Sequence, residues 1–270
     1  MEFGLKGRRA FVSGSTSGIG AACARMLAAH GATVVVHGRN RARADKVVKD
    51  IVEAGGRAIA VLGDLSDDDQ VAALVDEVNT AIGGIDVLVS NAGDAQPFSP
   101  DWFAVNLEQW AGTYNRNVLS AVRLVQNFVP GMRERGWGRV IVIGSAAYSK
   151  PTIDFPAYAP GKAALVNIIV GLARVLANTG ITANIISPGA VLTETMTSNL
   201  LPIAQAEGWT DTEPDVIERR LVAEKWHNCV GRMARPDEIA AAVVFLSGTL
   251  AACMTGSNIR VDCGETASFH

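Results

Sequence analysis

The chain has 270 residues, of which 49% are hydrophobic and 19% charged, a composition that supports a large core and excludes a disordered or low-complexity segment. Lysine and arginine number 24 against 27 acidic residues, so the net charge is -3 and no broad basic stripe favours a nucleic-acid partner. No charged leader with an apolar stretch opens the chain, and we therefore expect a cytoplasmic protein.

The most apolar helix-like stretch, residues 163–177, is interrupted by Asn167 and Arg174 and is too short to span a membrane. The cysteines have neither the spacing of a zinc site nor that of a disulfide framework, and the histidines are scattered. We therefore predict no metal site and expect reduced, mostly buried thiols at Cys23, Cys229, Cys253 and Cys263.

Strand-like and helix-like segments alternate along the chain without a linker. Apolar runs predict strands at residues 8–12, 32–36, 57–62, 85–89, 139–143, 181–186 and 259–261. Helical patterns separate them at residues 21–30, 45–54, 67–82, 107–135, 158–178 and 236–246. Because continuous apolar strands belong to a sheet covered on both faces, we predict one α/β domain over residues 1–270.

A glycine-rich loop, SGSTSGIG at residues 13–20, lies between the first strand and the first helix. Glycines let the backbone approach a pyrophosphate, and the free N–H groups of a helix start favour an anion. The loop predicts a dinucleotide site, although glycine and serine clusters also mark ordinary turns. Its candidate binding residues are Gly14, Ser15, Thr16, Ser17, Gly18, Ile19 and Gly20.

A tyrosine and a lysine stand four residues apart in the segment FPAYAPGK, as Tyr158 and Lys162, and Ser145 closes an apolar strand upstream. A phenol is a poor acid-base catalyst at neutral pH, and a fixed ammonium one helical turn away favours its ionised form. A serine hydroxyl at a strand end can bond a substrate oxygen during carbonyl reduction. The three residues therefore predict a proton-transfer site, although an ordinary amphipathic pair and a serine that ends a strand would have the same sequence pattern.

Several motifs in register resemble those of the short-chain dehydrogenase/reductase family over nearly the whole chain. They are the loop 14–20, Asp64-Leu65, Asn91-Ala92-Gly93, Asn117 after Trp110, Ser145, Tyr158 with Lys162, Pro188-Gly189 with Thr193, and Val261-Asp262. The resemblance implies a doubly wound, Rossmann-type parallel sheet of about seven strands with helices on both faces. It also implies that hydride moves between a nicotinamide dinucleotide and a carbonyl or secondary alcohol substrate.

The resemblance implies a role for each matched residue. Tyr158 would be the general acid or base, with Lys162 assisting it and binding the nicotinamide ribose, Ser145 would orient the substrate oxygen, and Asn117 would hold a relay water. Asp64 would reach the adenine, although it could equally be a helix-start residue. The implied cofactor-binding residues are Asp64, Leu65, Asn91, Ala92, Gly93, Tyr158, Lys162, Pro188, Gly189, Val191 and Thr193.

The end of the second strand bears on the choice of cofactor. Residues 36–41, VHGRNR, offer no carboxylate for ribose hydroxyls, and Arg39 beside Asn40 can pair with a 2'-phosphate. We therefore predict NADP(H), with NAD(H) as the alternative, because Arg39, Arg41 and Arg43 could also form a solvated helix start. Ser17 stands where many NADP-using members of the family carry a basic residue.

By the same resemblance, residues 193–231 form the substrate loop. Its apolar members could make a lid that suits an apolar ketone, or could pack in the core or a subunit contact: Met196, Leu200, Leu201, Ile203, Trp209, Leu221 and Trp226. Its acidic members are expected on the wet face: Glu207, Asp211, Glu213, Asp215 and Glu218. Further guesses for the pocket lining are Ala95, Gln96, Phe98, Trp102, Ala146, Ala147, Tyr148 and Ile153.

Three positions depart from the family pattern, namely Ser13, Gly161 and Cys263, but none removes a reacting group. The leading hypothesis is an NADP(H)-dependent oxidoreductase. The alternatives are an NAD-dependent alcohol dehydrogenase of the same family, a dinucleotide-binding regulator with little turnover, and a lyase or epimerase. The family also implies a homotetramer, with residues 107–135 and 158–178 as the expected subunit contacts.

Overall fold

The computed structural model describes residues 2–95, 99, 101–151 and 153–267. These residues form a seven-stranded parallel sheet in the order β3-β2-β1-β4-β5-β6-β7. The strands are β1 (Arg9–Val12), β2 (Thr33–Gly38), β3 (Arg57–Leu62), β4 (Val87–Ser90), β5 (Gly138–Ile143), β6 (Ile181–Pro188) and β7 (Asn258–Val261). The predicted doubly wound sheet is confirmed, and its strand order reverses between β1 and β4, where such sheets open a crevice at their carboxyl ends.

Helices follow most strands and cover both faces of the sheet. They are α1 (Gly18–Ala29), α2 (Arg41–Glu53), α3 (Asp68–Ile82), α4 (Leu107–Tyr114), α5 (Ser120–Glu134), α6 (Tyr158–Val175), α7 (Glu194–Ala206), α8 (Pro214–Leu221) and α9 (Pro236–Ser247). No helix in the described part of the chain combines the length and the apolar character that a membrane crossing requires.

Two apolar clusters hold the helices on the sheet. Leu27 of α1 and Val243 of α9 pack with strand residues on one face, and Leu74 of α3, Leu124 of α5 and Leu165 of α6 pack on the other. Full burial of one such leucine stabilises the fold by roughly 1.5–3 kcal/mol. Because both faces are covered, the strands are mainly apolar, and the functional groups gather at their ends.

Several boundaries differ from the sequence prediction. Helix α2 begins at Arg41 rather than at residue 45, because the Asn40 side chain accepts the Arg43 N–H and caps the helix earlier. The predicted helix 107–135 divides into α4 and α5 around a π-helical segment, Asn115–Leu119. An extra residue in a helical turn re-aims side chains, and here the widened turn contains Asn117.

Residues 193–231 have a small apolar core of their own, which packs α7 against α8. Leu200 and Leu221 are buried in it, whereas Leu201 is exposed. The buried apolar residues of this segment are therefore packing residues, as one of the two interpretations of the sequence has it. They give no support to an apolar ketone as the substrate. Partly buried residues of the same region pack against this core, among them Met196, Ile203, Trp209 and Trp226.

The expectation that Glu218 lies on the wet face is wrong. Glu218 is 2% exposed, and its carboxylate accepts hydrogen bonds from the Met233 N–H at 2.8 Å and from the Arg235 guanidinium at 2.6 and 3.0 Å. A buried charge is tolerated when it is paired and hydrogen-bonded in this way. The Glu218–Arg235 ion pair therefore ties α8 to the start of α9.

The expectation of mostly buried thiols is also wrong. Cys23 is buried, Cys263 is intermediate, and both Cys229 and Cys253 are exposed, with all four unpaired. Burial raises the pKa of the Cys23 thiol to about 12. Cys229 and Cys253 lie in the irregular segments before and after α9.

Candidate active site

A cavity of about 350 Å³ runs along the carboxyl ends of the central strands. Its lining combines the glycine loop with the predicted tyrosine, lysine and serine, although they are far apart in the sequence. The lining residues are Gly14, Ser17, Gly18, Ile19, Gly20, Asn91, Gly93, Ile143, Gly144, Ser145, Tyr158, Lys162, Pro188, Gly189, Val191, Thr193 and Thr195. Among them, Ile143, Gly144 and Thr195 were not singled out in the sequence.

The end of β4 holds the glycine loop through polar side chains. The buried Ser13 hydroxyl accepts the N–H groups of Asn91 and Ala92, both at 2.9 Å. The Asn91 amide donates to the carbonyls of Ser13 at 3.0 Å and Gly14 at 3.1 Å. A Cβ at Gly20 would lie 2.4 Å from the Gly14 carbonyl oxygen, so only glycine allows α1 to approach the loop this closely.

The first turn of α1 presents its backbone to the cavity. Ser17 occupies the N-cap position without a side-chain capping bond, and Gly18, Ile19 and Gly20 line the cavity. The first N–H groups of an α-helix have no partner within the helix, and together with the helix dipole they favour an anion. This arrangement can hold a pyrophosphate group.

Tyr158 opens helix α6, and Lys162 lies one turn further along the same helix. Lys162 is 4% exposed, its Nζ donates to the Ile143 carbonyl at 3.1 Å, and it lies 5.3 Å from the centre of the Tyr158 ring. No ion pair within the described residues compensates this ammonium. Ser145 stands two residues after the end of β5, and its hydroxyl accepts the Ala147 N–H at 3.2 Å. The three side chains therefore share one wall of the cavity.

Asn117 lies just behind this wall. It is 2% exposed, and its amide donates to the carbonyls of Asp94 at 2.9 Å and Thr113 at 3.1 Å. Its Oδ1 atom is buried without a hydrogen-bond partner. A Cβ placed on Gly93 would lie 2.5 Å from this Oδ1 and 3.8 Å from the Lys162 Nζ, so both side chains face the same glycine.

A second cavity, of about 280 Å³, lies beside the first at the ends of β2 and β3. Its lining residues are Gly14, Thr16, Ser17, His37, Gly38, Arg39, Gly63, Asp64, Leu65, Ser66, Asn91, Ala92, Gly93, Asp94 and Arg116. Among the predicted binding residues, Ser15 is buried and Asn40 caps α2, so neither lines a cavity. The sequence analysis did not name His37, Gly38, Gly63, Ser66, Asp94 and Arg116 as binding residues, although each stands within two residues of a predicted one.

Arg39 and Asp64 meet across the second cavity at 3.7 Å, with the Arg39 side chain 74% exposed. The Asp64 carboxylate also accepts the Ser66 N–H at 2.8 Å, and this bond lowers the pKa of the carboxyl. The N-cap of α3 is Asp67 rather than Asp64, since the Asp67 side chain accepts the Gln70 N–H. The Asp64 side chain is therefore not the cap of α3.

The remaining guesses for the pocket lining have different outcomes. Gln96 and Phe98 lie outside the described residues. The described ones, Ala95, Trp102, Ala146, Ala147, Tyr148 and Ile153, line neither cavity.

Cys263 has a φ of 55°, a left-handed conformation that favours glycine, so the cysteine there carries backbone strain.

Known proteins resemble this chain in sequence and in fold. A family model described as enoyl-(acyl carrier protein) reductase matches residues 14–266. The uncharacterized oxidoreductase YvrD of Bacillus subtilis (strain 168) is 34% identical over 269 residues, which cover 100% of both chains.

Solved structures that resemble this chain include complexes with nicotinamide cofactors. The crystal structure of L-sorbose reductase from Gluconobacter frateurii, complexed with NADPH and L-sorbose, has a TM-score of 0.93 and 31% identity and covers 100% of both chains. That of 7α-hydroxysteroid dehydrogenase with NADH and 7-oxo glycochenodeoxycholic acid has a TM-score of 0.85 and 29% identity, covering 100% of this chain and 98% of the other. The chain therefore belongs to the short-chain dehydrogenase/reductase family, as an NAD(P)-dependent oxidoreductase that acts on CH–OH or C=O groups.

Proposed function

We propose that this protein interconverts a carbonyl and a secondary alcohol with NADP(H), and that Tyr158 is the general acid in reduction and the general base in oxidation. The observation that carries the proposal is the convergence of Tyr158, Lys162 and Ser145 with the glycine loop in one cavity. When bound, the dinucleotide donates or accepts the hydride. The chain itself binds the two reactants, orients them and moves the proton.

The residues present fit a dinucleotide. The loop from Gly14 to Gly20 has the close backbone approach that a pyrophosphate needs, and a Cβ at Gly20 would disrupt it. The lining of the first cavity also includes Pro188, Gly189 and Thr193, which would hold the nicotinamide end. The second cavity, beside Asp64 and Leu65, would receive the adenosine.

In reduction, the Tyr158 hydroxyl donates its proton to the carbonyl oxygen as that oxygen gains negative charge. The buried ammonium of Lys162 stabilises the phenolate that remains, and the Ser145 hydroxyl donates a second hydrogen bond to the same oxygen. The Oδ1 atom of Asn117, which has no hydrogen-bond partner, can accept a hydrogen bond from a water molecule. That water would pass a proton to Lys162, and Lys162 would return it to Tyr158. In oxidation the same groups act in the opposite direction.

Arg39 supports NADP(H) over NAD(H). Its guanidinium is exposed at the mouth of the second cavity, and residues 36–41 contain no carboxylate that would bind the ribose hydroxyls in its place. Asp64 weakens this preference, because its carboxylate already pairs with Arg39. NAD(H) therefore stays the alternative, and the 2'-phosphate would have to compete with Asp64 for Arg39.

Turnover with a panel of ketones and secondary alcohols, followed by nicotinamide absorbance, tests the proposal. We expect reduction of at least one ketone, one dinucleotide consumed for each alcohol formed, and a higher kcat/KM for NADPH than for NADH. A clear preference for NADH would contradict the cofactor proposal alone. Turnover without net oxidation or reduction of the dinucleotide would contradict the reaction class.

We also propose a homotetramer in which α5 and α6 form subunit contacts. The groove between them is lined by apolar side chains, Ala121, Val122, Val125, Val142, Leu165, Ile168, Ile169 and Leu172. Val170 and Val175 of α6 are 41% and 70% exposed, and they add apolar surface to the helix that carries this groove. Sedimentation velocity is expected to show four copies, and a stable monomer at assay concentrations would reject this assembly.

A further inference from the structure

A histidine that the proposed reaction does not use lies under the second cavity. His37, near the end of β2, is 3% exposed and packs against Phe11 of β1 with the ring centres 5.4 Å apart. Within the described part of the chain, the other histidines, His30 and His227, are exposed. A fully buried imidazole needs partners for both ring nitrogens, and it is these partners that distinguish His37.

Both ring nitrogens of His37 bond to backbone groups of the candidate site. The Gly14 N–H donates to Nδ1 at 3.3 Å, and Nε2 lies 3.2 Å from the Gly63 carbonyl oxygen. A backbone N–H can only donate and a carbonyl can only accept, so the ring is neutral and carries its proton on Nε2. The ring therefore joins the glycine loop after β1 to the segment after β3.

His37 and Asn91 hold Gly14 from opposite sides. His37 accepts the Gly14 N–H, and the Asn91 amide donates to the Gly14 carbonyl at 3.1 Å. The next residue of the loop, Ser15, is also tied to His37, because its hydroxyl accepts the His37 N–H at 2.9 Å and donates to the Val12 carbonyl at 2.6 Å. Both the backbone and the side chain of His37 thus fix the loop.

We propose that His37 is a positioning residue for the adenosine half of the dinucleotide: its neutral ring sets the spacing between Gly14 and Gly63, the two walls of the second cavity. The inference rests on the dinucleotide site proposed above. Gly14 also lines the first cavity, so the same ring aligns the start of the pyrophosphate loop. His37 contacts the walls of the cavities and takes no part in the reaction of the substrate.

The surroundings of His37 keep the ring neutral. Burial lowers its pKa to about 4, while the bond to Gly63 and the charge of Asp64 oppose this shift and the charge of Arg39 adds to it. Asp64 acts on the ring from the segment after β3, and Arg39 acts on it from the position that follows β2. Phe11, on β1, and the loop residue Gly14 bring no titratable group. A protonated ring would lose its acceptor atom and release the Gly14 N–H.

Binding of ADP and NADPH to the full chain, measured by calorimetry, tests the proposal. ADP carries the adenosine and pyrophosphate that both nicotinamide dinucleotides share. In His37→Phe a ring still packs on Phe11, but both hydrogen bonds are lost, and we expect the Kd for both ligands to rise about 10-fold. The KM for NADPH should rise by a similar factor, with a much smaller change in kcat.

Two further variants separate positioning from general stability. His37→Asn places a carbonyl oxygen close to the Nδ1 position, so it should recover most of the ADP affinity. His30→Asn, on the surface at the end of α1, is the control and should bind as the wild type does. Long-range ¹H–¹⁵N spectra of the wild type should show the proton on Nε2 of His37 at neutral pH.

The outcomes are distinct. If wild-type protein binds neither ADP nor NADPH, the dinucleotide site itself is refuted. If the wild type binds both and His37→Phe, folded by circular dichroism, binds both within about twofold of it, the positioning role is refuted. A proton on Nδ1 would likewise overturn it, because that ring could not accept the Gly14 N–H.

Discussion

The cofactor side of the cleft and residues 193–231, which we propose cover the cleft and here call the covering segment, are built in opposite ways. On the cofactor side, His37 and Asn91 bond the backbone of Gly14, and the Ser13 hydroxyl accepts the N–H groups of Asn91 and Ala92. Hydrogen bonds thus tie the glycine loop to the ends of β2 and β4. The covering segment packs on a separate apolar cluster and is tied to α9 through Glu218. The contrast teaches that hydrogen bonds to the backbone shape the first region, whereas apolar packing and one buried ion pair hold the second, of which Thr193 and Thr195 line the first cavity.

The largest expected effect belongs to the cofactor side and its tyrosine. Tyr158→Phe removes the proton donor while keeping the ring, so kcat should fall about 1000-fold, within the range for loss of a general acid. The Kd for NADPH, measured by fluorescence titration, should stay within about twofold of the wild-type value, since the loop does not depend on the hydroxyl. Tyr114→Phe, on the exposed surface of α4, serves as the control. Residual activity above a tenth of the wild-type rate would contradict the assignment.

Low pH should destabilise the folded protein, because folding keeps the buried ring of His37 neutral. Its pKa is about 4 when folded, against an ordinary value of 6.5, so between these values the unfolded chain binds a proton that the folded chain does not. The free energy of unfolding therefore falls as the pH drops from 6.5 to 4, by about 3 kcal/mol from this residue alone. Urea titrations at several pH values should show this loss in the wild type.

The variant His37→Asn does not titrate, so its stability curve should be flatter than the wild-type curve by that amount across the same window. His30→Asn should follow the wild type. Parallel curves for the wild type and His37→Asn would show that His37 is protonated equally in the folded and unfolded states, and so that the neutral ring does not contribute to stability.

Glu218→Gln tests whether the covering segment is separable from the cofactor side. The substitution removes the buried carboxylate and weakens its bonds to Arg235, and we expect unfolding by urea to require about 2 kcal/mol less free energy. The Kd for ADP should be unchanged, because the hydrogen bonds of Glu218 go to Met233 and Arg235 and not to the glycine loop. The matched control is Glu207→Gln, whose partner Lys225 lies at the surface. A several-fold rise in the Kd for ADP would mean that the two regions are one unit.

The smallest effect concerns the choice between the two dinucleotides. Arg39→Ala should lower kcat/KM for NADPH about 10-fold and leave the value for NADH nearly unchanged, because only NADPH has the 2'-phosphate. Arg41→Ala is the control, since Arg41 pairs with Asp45 along α2. Equal losses for both dinucleotides would show that Arg39 acts through Asp64 and the wall of the cavity rather than on the phosphate.

The sequence predicted the sheet and the main wall of the site because their signals are local. A glycine loop between strand and helix, and a tyrosine four residues before a lysine, can each be recognised without knowing what lies opposite. His37 was missed because its partners, Gly14 and Gly63, lie 23 and 26 residues away along the chain. Glu218 was placed in solvent because charge alone predicts exposure, and only the fold brings Arg235 to it.

A crystal structure with NADPH and an unreactive analogue of a ketone substrate would test the proposed role of Tyr158. We expect the dinucleotide to lie on the Gly14–Gly20 loop and the Tyr158 hydroxyl to be about 2.6–3.2 Å from the carbonyl oxygen of the analogue. We also expect the nicotinamide to face the carbonyl carbon. A structure in which the hydroxyl is remote from that oxygen, with another side chain in its place, would contradict it.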